Sequence, residues 1–207
     1  MEHILKMEGP VYHFLTRTVE LFVLNILFIV CSIPIFTMGA SITALYSVTL
    51  KMVRNEDSGI YSVFIQAFKQ NFKQSTVILS LLLIVGIVLF MDYSLLKSYN
   101  GNFAFLIILS LFFFSFLYLL IVIMIFPYVA RFKDTTKDAF KNVLKMAVAN
   151  PYPIILVMII AIGPVILMFL SPFFFVLMLY LNLFLGFSLV AYINSFIIRN
   201  LYAKYEE

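Results

Sequence analysis

Long apolar runs alternate with short polar segments along this chain. The runs predict helices at residues 18–36, 40–54, 75–95, 103–130, 152–170 and 173–198. A helix crosses the hydrocarbon core of a bilayer in roughly 20 residues. The run 40–54 is short for a full crossing and contains Ser, Thr and Tyr, so it either tilts, lines an interior or re-enters. The pattern predicts an all-α fold, a polytopic transmembrane helical bundle of about six spans.

The polar segment 60–74 has the periodicity of an amphipathic helix. Phe64 and Phe68 fall on one face of that helix, and Lys69 and Lys73 fall on the opposite face. A basic amphipathic helix beside a span is typical of an interfacial element, so we expect it to lie along the inner leaflet.

A second amphipathic helix is predicted over residues 135–148. One face carries three lysines, Lys137, Lys141 and Lys145. Phe140 lies on the apolar face, and Thr135 with Asp138 forms a weak capping box at the start. Both amphipathic segments have two interpretations, an anchor on anionic lipid or a docking surface for a cytoplasmic partner.

The lysines and arginines fall in alternate gaps between the apolar runs. With the N-terminus in the cytoplasm, all of the 14 basic residues except Lys97 lie on the inner side. The positive-inside rule therefore predicts six spans with both termini cytoplasmic. A five-span arrangement without 40–54 would place the basic segments before and after it on opposite sides of the membrane.

Composition agrees with this architecture. Hydrophobic residues make up 64% of the chain, charged residues make up 12%, and the mean hydropathy is +1.08. We therefore expect a single integral membrane domain over residues 1–207, with the lipid bilayer as its first partner. The net charge of +4 is explained by anionic headgroups beside the spans, so no nucleic acid partner is expected.

Few polar side chains are predicted to lie at membrane depth. The candidates for an intramembrane polar path are Asn25, Thr43, Tyr46 and Asn182. Asn25 and Asn182 can bind a ligand, although asparagines in spans more often form hydrogen bonds between helices. Charged residues are absent from the span centres, which argues against a proton- or ion-coupled pump.

The chain carries no recognisable catalytic pattern. His3 and His13 have no nearby cysteine and no H-E-x-x-H spacing, and neither a G-x-S-x-G motif nor a phosphate-binding glycine loop is present. Cys31 has no second cysteine with which to form a disulfide. We therefore expect no enzyme activity, no catalytic residue, no cofactor and no metal.

Several motifs in roughly the first 75 residues resemble those of the YesL-like family of bacterial integral membrane proteins. They are Glu8-Gly9-Pro10 with Tyr12, Asn25, Pro34, Thr37, Gly39, Ala44-Leu45-Tyr46, Phe64 and Ala67-Phe68-Lys69-Gln70-Asn71-Phe72-Lys73. Further along, the likeness continues as a matching pattern of spans. That family has no established biochemical activity. The resemblance implies a Gram-positive bacterial context and genes that often lie beside binding-protein-dependent sugar importers and glycoside hydrolases.

Two functions of different classes follow. The first is a non-catalytic accessory or regulatory subunit associated with carbohydrate uptake, in contact with the permease or ATPase subunits of an ABC-type sugar importer. Its candidate partner contacts are Gly9, Pro10, Phe68, Lys69, Lys73, Lys137, Phe140, Lys141 and Lys145. The second is a self-contained small permease or channel for a neutral solute, with the four polar candidates along its path.

The predicted orientation can be tested with single cysteines at Ser98 and Lys141. In intact cells, a membrane-impermeant thiol reagent should label position 98 and spare position 141, because only the first is predicted to lie outside. Labelling at position 141, or protection at position 98, would overturn the orientation.

Overall fold

The computed structural model describes residues 10–56, 59–96, 101 and 103–205, and the regular elements in these ranges are all helical. In chain order they are α1 (Pro10–Ser32), a 3₁₀ turn (Ile35–Thr37), α2 (Met38–Val53), α3 (Ile60–Leu96), α4 (Ala104–Arg131), α5 (Thr136–Ala149), α6 (Pro151–Leu170), α7 (Pro172–Leu181), a π turn (Asn182–Gly186), α8 (Phe187–Tyr202) and a final 3₁₀ turn (Ala203–Tyr205).

Within the described ranges, six helical stretches are long and apolar enough to cross a membrane. They are Val11–Ser32, Ile35–Val53, Ile60–Leu96, Ala104–Arg131, Pro151–Leu170 and Pro172–Tyr205. The prediction of an all-α chain with six candidate spans is thereby confirmed at the level of length and composition. The side of the membrane that holds each terminus stays a prediction.

Residues 60–74 and 75–95 belong to one continuous helix, α3, which corrects their separation in the sequence analysis. The physical reason is that no proline or glycine interrupts the chain from Ile60 to Val85. The apolar face of the first half also has a protein partner, because Phe64 is fully buried and α3 packs closely against α2. This face therefore lies inside the bundle.

Helix α2 is the interior helix of the bundle. In its span 67% of the residues are buried, whereas no other span exceeds 22%. It contacts α1, α3, α4 and α8, and small residues such as Ala40 and Ala44 are completely buried on it. Small side chains let helix backbones approach closely where lipid supplies no hydrophobic drive for association. Of the alternatives for residues 40–54, the structure matches the one in which they line the interior.

The first turn of α2 lies against the middle of α3. A Cβ atom at Gly39 would be 2.6 Å from the Ser75 carbonyl oxygen, so only glycine fits there without a shift. The hydroxyls of Thr43 and Ser75 are 2.9 Å apart, and the Thr76 hydroxyl donates to the Phe36 carbonyl over 3.3 Å. Beyond this level α3 continues along α4, where the Tyr118 hydroxyl donates to the Leu82 carbonyl.

Helix α5 begins as its sequence predicts. The Asp138 N–H donates to the Thr135 hydroxyl oxygen over 3.3 Å, which caps the first turn. Ala139 and Val143 are buried on its inner face. The three lysines of the opposite face are exposed.

Contacts at the ends of α2, α5 and α8 define one end of the bundle, here called the basic end. Its cross-links are Arg17 to the Met52 carbonyl (3.4 Å), Arg199 to the Val53 carbonyl (2.9 Å) and Lys204 to the Asn150 side chain (3.4 Å). Between Ser75 and Ala130 the sequence contains one basic residue, Lys97, which lies outside the described ranges. Arg17, Arg199 and Lys204, which come from separate segments of the chain, thus meet other helices at this end.

The substitution Gly39→Ala should destabilise the bundle by about 1–3 kcal/mol, because the added methyl group overpacks the contact between α2 and α3. Thermal unfolding of the purified protein in detergent measures the loss. Gly163→Ala is the matched control, since a Cβ atom there meets nothing within 4 Å. Equal melting temperatures for the two variants would contradict the close approach at Gly39.

Candidate functional site

Asn25 joins α1 to the π turn of the last span. Its amide nitrogen donates to the carbonyl oxygens of Asn182 and Leu183, each over 3.0 Å, and its amide oxygen accepts the Ser188 N–H over 3.1 Å. The side chain is completely buried. Both ends of the Asn25 amide are therefore engaged by the backbone of the last span.

The π turn explains why the last span needs this partner. Hydrogen bonds in a π turn connect residues five apart, which interrupts the α-helical ladder and leaves backbone groups for other partners. Two aromatic pairs flank the contact, Phe22 with Phe184 at 6.2 Å and Phe28 with Phe187 at 5.2 Å between ring centroids. The Asn25 side chain thus supplies hydrogen-bond partners for these backbone groups at a depth where lipid supplies none.

The other polar candidates have mainly structural contacts. The completely buried Thr43 hydroxyl lies 2.9 Å from the Gly39 carbonyl and from the Ser75 hydroxyl. The Asn182 amide nitrogen donates to the Met178 carbonyl within its own helix. A similar hydroxyl pair, Thr49 with Ser195 at 2.8 Å, connects α2 to α8.

A groove of about 790 Å³ lies between α1, α2, α6 and the last span. Its polar lining consists of Ser32, Tyr46 and Asn182, and the rest is apolar, with Phe28, Pro164 and Phe187 among the lining residues. Asn25 and Thr43 do not line it. Of the four residues predicted to share a path, the structure brings Tyr46 and Asn182 together and places the other two in helix contacts.

Asn194 lies behind this groove, beside Tyr46. It is completely buried, and its side chain lies close enough to Tyr46 to interact with it, although the contact falls outside standard hydrogen-bond geometry. A buried amide in a membrane-spanning helix normally needs a polar neighbour, and for Asn194 that neighbour is Tyr46. Asn194 is not among the four polar candidates predicted from the sequence; it lies four residues before residue 198, the predicted end of the last span.

The predicted partner contacts are divided between core and surface. Lys69 and Lys73 of α3 are exposed, as are the three lysines of α5. Phe68 and Phe140 are partly buried and pack against the hydrophobic core. Pro10 is the first residue of α1, and Gly9 lies outside the described residues. The exposed part of the predicted contact surface is therefore its lysines.

A polar network holds α5 against the end of α4. The Tyr128 hydroxyl donates to the Asp134 carboxylate, and the Asn142 amide donates to both, over 3.0 Å to the hydroxyl and 2.9 Å to the carboxylate. The Gln74 side chain contacts the Asp134 carbonyl from α3. These hydrogen bonds hold α5, the helix that carries the three lysines, against α4 and α3.

A third site lies at the basic end. Arg54, Arg131 and Arg199 line one cavity of about 180 Å³, together with Leu50, Tyr202 and Ala203. The alternation of basic residues predicts each of the three arginines on the inner side, and none of them is a predicted site residue. No local signal marks such a site, because its three arginines come from three separate segments.

Metal-ligand groups do not gather in the described ranges, where no cluster of three or more His, Cys, Asp or Glu side chains occurs. Cys31 is a free, partly buried cysteine of α1. The groove and the cavity at the basic end are lined by apolar groups, hydroxyls, an amide and guanidinium groups.

A family model described as "Protein of unknown function, DUF624" matches residues 21–93. The match begins within α1, includes all of α2 and ends near the end of α3. It therefore covers the Gly39 contact and Asn25, but neither α5 nor the last span. No curated protein and no solved structure matches the chain. The chain is thus similar, over these residues, to a family whose function is unknown.

Replacing Asn25 should show what its hydrogen bonds contribute. Asn25→Leu should lower the free energy of unfolding by about 1–3 kcal/mol, because backbone groups of the π turn lose their partner inside the bundle. Asn182→Ala is the control, since the Asn182 amide bonds within its own helix, and it should cost less. Unfolding in mixed micelles measures both; a larger loss for Asn182→Ala would contradict the assignment.

Proposed function

We propose that this protein is a non-catalytic accessory or regulatory subunit associated with carbohydrate uptake in the bacterial plasma membrane. Its partners on this proposal are the permease or ATPase subunits of an ABC-type sugar importer. One observation carries the proposal. The Asn25 amide forms hydrogen bonds with the backbone of the last span, so it does not line a path for a solute.

The use of the other intramembrane polar groups supports a scaffold rather than a pump. Thr43 and Thr49 hold α2 to its neighbours through hydroxyl pairs, and the sequence places no charged side chain at the span centres. Ion-coupled transport normally needs ionisable residues along the path. A subunit that binds another membrane protein needs only a rigid bundle and an exposed contact surface.

The lysine row of α5 is the best candidate for that contact surface. Lys137, Lys141 and Lys145 are exposed on one face, while the opposite face is buried. The network around Asp134 and Asn142 fixes the helix on which they stand. A row of positive charges on a rigid helix favours a partner with an acidic surface, and such complementarity contributes specificity more than affinity.

The association with sugar uptake rests on the resemblance to the YesL-like family. The gene neighbourhoods of that family include sugar importers, and such a neighbourhood is an association rather than a physical argument. The match to a family of unknown function over residues 21–93 is compatible with it and adds no activity.

The alternative is a self-contained permease or channel for a neutral solute. The groove of about 790 Å³ favours it, because Ser32, Tyr46 and Asn182 are polar residues in an otherwise apolar lining. Such a groove also suits a lipid chain, so the accessory subunit is the better supported function.

Affinity purification of the tagged protein from its native membrane in mild detergent should recover importer subunits. The triple variant K137E/K141E/K145E should lose most of that recovery, because each substitution reverses a charge of the contact surface. Mass spectrometry of the co-purified proteins measures the difference.

The matched control is K137R/K141R/K145R, which keeps the charges and should retain the partner. Unchanged recovery with the glutamate variant would show that the α5 lysines are not the contact. Solute flux through proteoliposomes containing this chain alone would instead favour the permease.

A further inference from the structure

The end of α6 and the whole of α7, residues 165–181, form a helical hairpin outside the hydrophobic core. The last buried residue of α6 is Met158, and the next buried residue along the chain is Ser188, beyond the π turn. The core and the side chains packed against it include Ile162 and Leu185 but no residue between them. Helix α7 packs mainly on α6 and on the π turn. Few contacts inside the protein therefore fix the position of this α6–α7 hairpin.

Both arms of the α6–α7 hairpin leave the bundle through an interruption of the helix. In α6 the interruption is Pro164, which has no N–H to donate to the Ile160 carbonyl. In the other arm it is the π turn, which begins at Asn182. Counted from Ser171 between the arms, Pro164 is 7 residues away and Asn182 is 11 residues away, a difference of about 6 Å at 1.5 Å per residue. The two interruptions therefore lie at nearly the same level.

The bundle holds the chain firmly just below this level. The Asn25 amide donates to the Asn182 and Leu183 carbonyls and accepts the Ser188 N–H. These bonds tie the π turn and the start of α8 to α1. The hairpin thus has a fixed base and two interrupted arms, which is the arrangement of a hinge, because a hinge needs a few positions that absorb a change of backbone angle.

The other long hairpin, formed by α3 and α4, is built differently. The Tyr118 hydroxyl donates to the Leu82 carbonyl, and the hydroxyls of Tyr93 and Ser115 are 3.2 Å apart, so its arms are cross-linked along their length. Its arms contain no proline between residues 76 and 126. This hairpin therefore serves as an internal comparison, since it is of similar composition but has no paired interruption.

We propose that the α6–α7 hairpin is a movable wall of the groove, hinged at Pro164 and the π turn. The hairpin contributes Val165, Met168 and Leu179 to the groove, and α2 lies opposite with Met38 among its lining residues. Kinks at prolines and π turns commonly exceed about 20°. A rotation of that size moves the tip, about 14 Å from the hinge, by about 5 Å. The width of the groove therefore follows the position of the hairpin.

The competing explanation is a fixed bend. Prolines occur in membrane helices without any motion, because neighbouring groups satisfy the freed carbonyl. A fixed bend gives one distance between the hairpin and the bundle, whereas a hinge gives a range of distances. Substitutions that restore regular helix at the interruption should narrow that range only if the hinge exists.

The experiment measures distances between two nitroxide labels on the full chain in nanodiscs by pulsed electron paramagnetic resonance. Cys31, the single cysteine of the sequence, is first replaced by alanine. One label is placed at Val19→Cys on α1 and the other at Phe173→Cys near the tip of the α6–α7 hairpin. The matched control pair is Val19→Cys with Phe105→Cys, near the tip of the other hairpin, because Phe105 and Phe173 are both 72% exposed.

We expect the distance distribution from Val19 to Phe173 to be at least about 5 Å wider than the distribution from Val19 to Phe105. Pro164→Ala should narrow it towards the width of the control, because alanine restores the N–H to the helix. Gly163→Ala should also narrow it, since alanine favours the helix more than glycine does and its Cβ meets nothing within 4 Å. The second variant keeps the test valid if the first fails to fold.

Two results would overturn the movable wall. One is a distribution from Val19 to Phe173 that is no wider than the control distribution. The other is a wide distribution that both Pro164→Ala and Gly163→Ala leave unchanged. These distances do not depend on whether the chain binds an importer, so this proposal and the proposed function fail separately.

Discussion

The burial of α2 is the constraint on which the rest of the bundle depends. Helices α1, α3, α4 and α8 all contact it, and its first turn approaches α3 so closely that Gly39 has no room for a side chain. In lipid, apolar surface alone does not drive helices together, so close backbone approach and hydrogen bonds between helices must do so. The small residues of α2 and its hydroxyl pairs with Ser75 and Ser195 supply both.

The same constraint determines what the polar residues at membrane depth can do. A polar group inside a bilayer is stable only when it has a partner, and several of those in this chain find one on a neighbouring helix. Asn25 illustrates this, because its amide matches the interrupted hydrogen-bond ladder of the π turn. These contacts connect the helices inside the bundle, whereas Arg17, Arg199 and Lys204 connect them at the basic end.

The periodicity of the chain predicted helices well and their surroundings less well. The segment 60–74 was recognised as helical with an apolar face around Phe64, yet that face packs on α2 instead of lipid. Periodicity indicates which face is apolar, but not what covers it. The same holds for α5, where the Thr135 cap and the exposed lysines were predicted, whereas the supporting contacts of Tyr128 and Asp134 were not. The four residues of the candidate polar path do not line one groove, for a related reason. The depth of a residue in the membrane does not specify which way its side chain faces.

By itself the sequence determined the class of this protein, its six apolar helices, the alternation of its basic residues and the cap of α5. These features depend on local composition and residue spacing, which can be read directly from the amino-acid sequence. Only the tertiary structure decided that residues 60–96 form one helix packed on α2, that Asn25 binds the backbone of a span more than 150 residues away, and that Arg54, Arg131 and Arg199 share a cavity. Those features depend on which helix faces meet and at what level. Packing of small side chains and the need to satisfy each buried polar group decide that, and neither is a local property of the sequence.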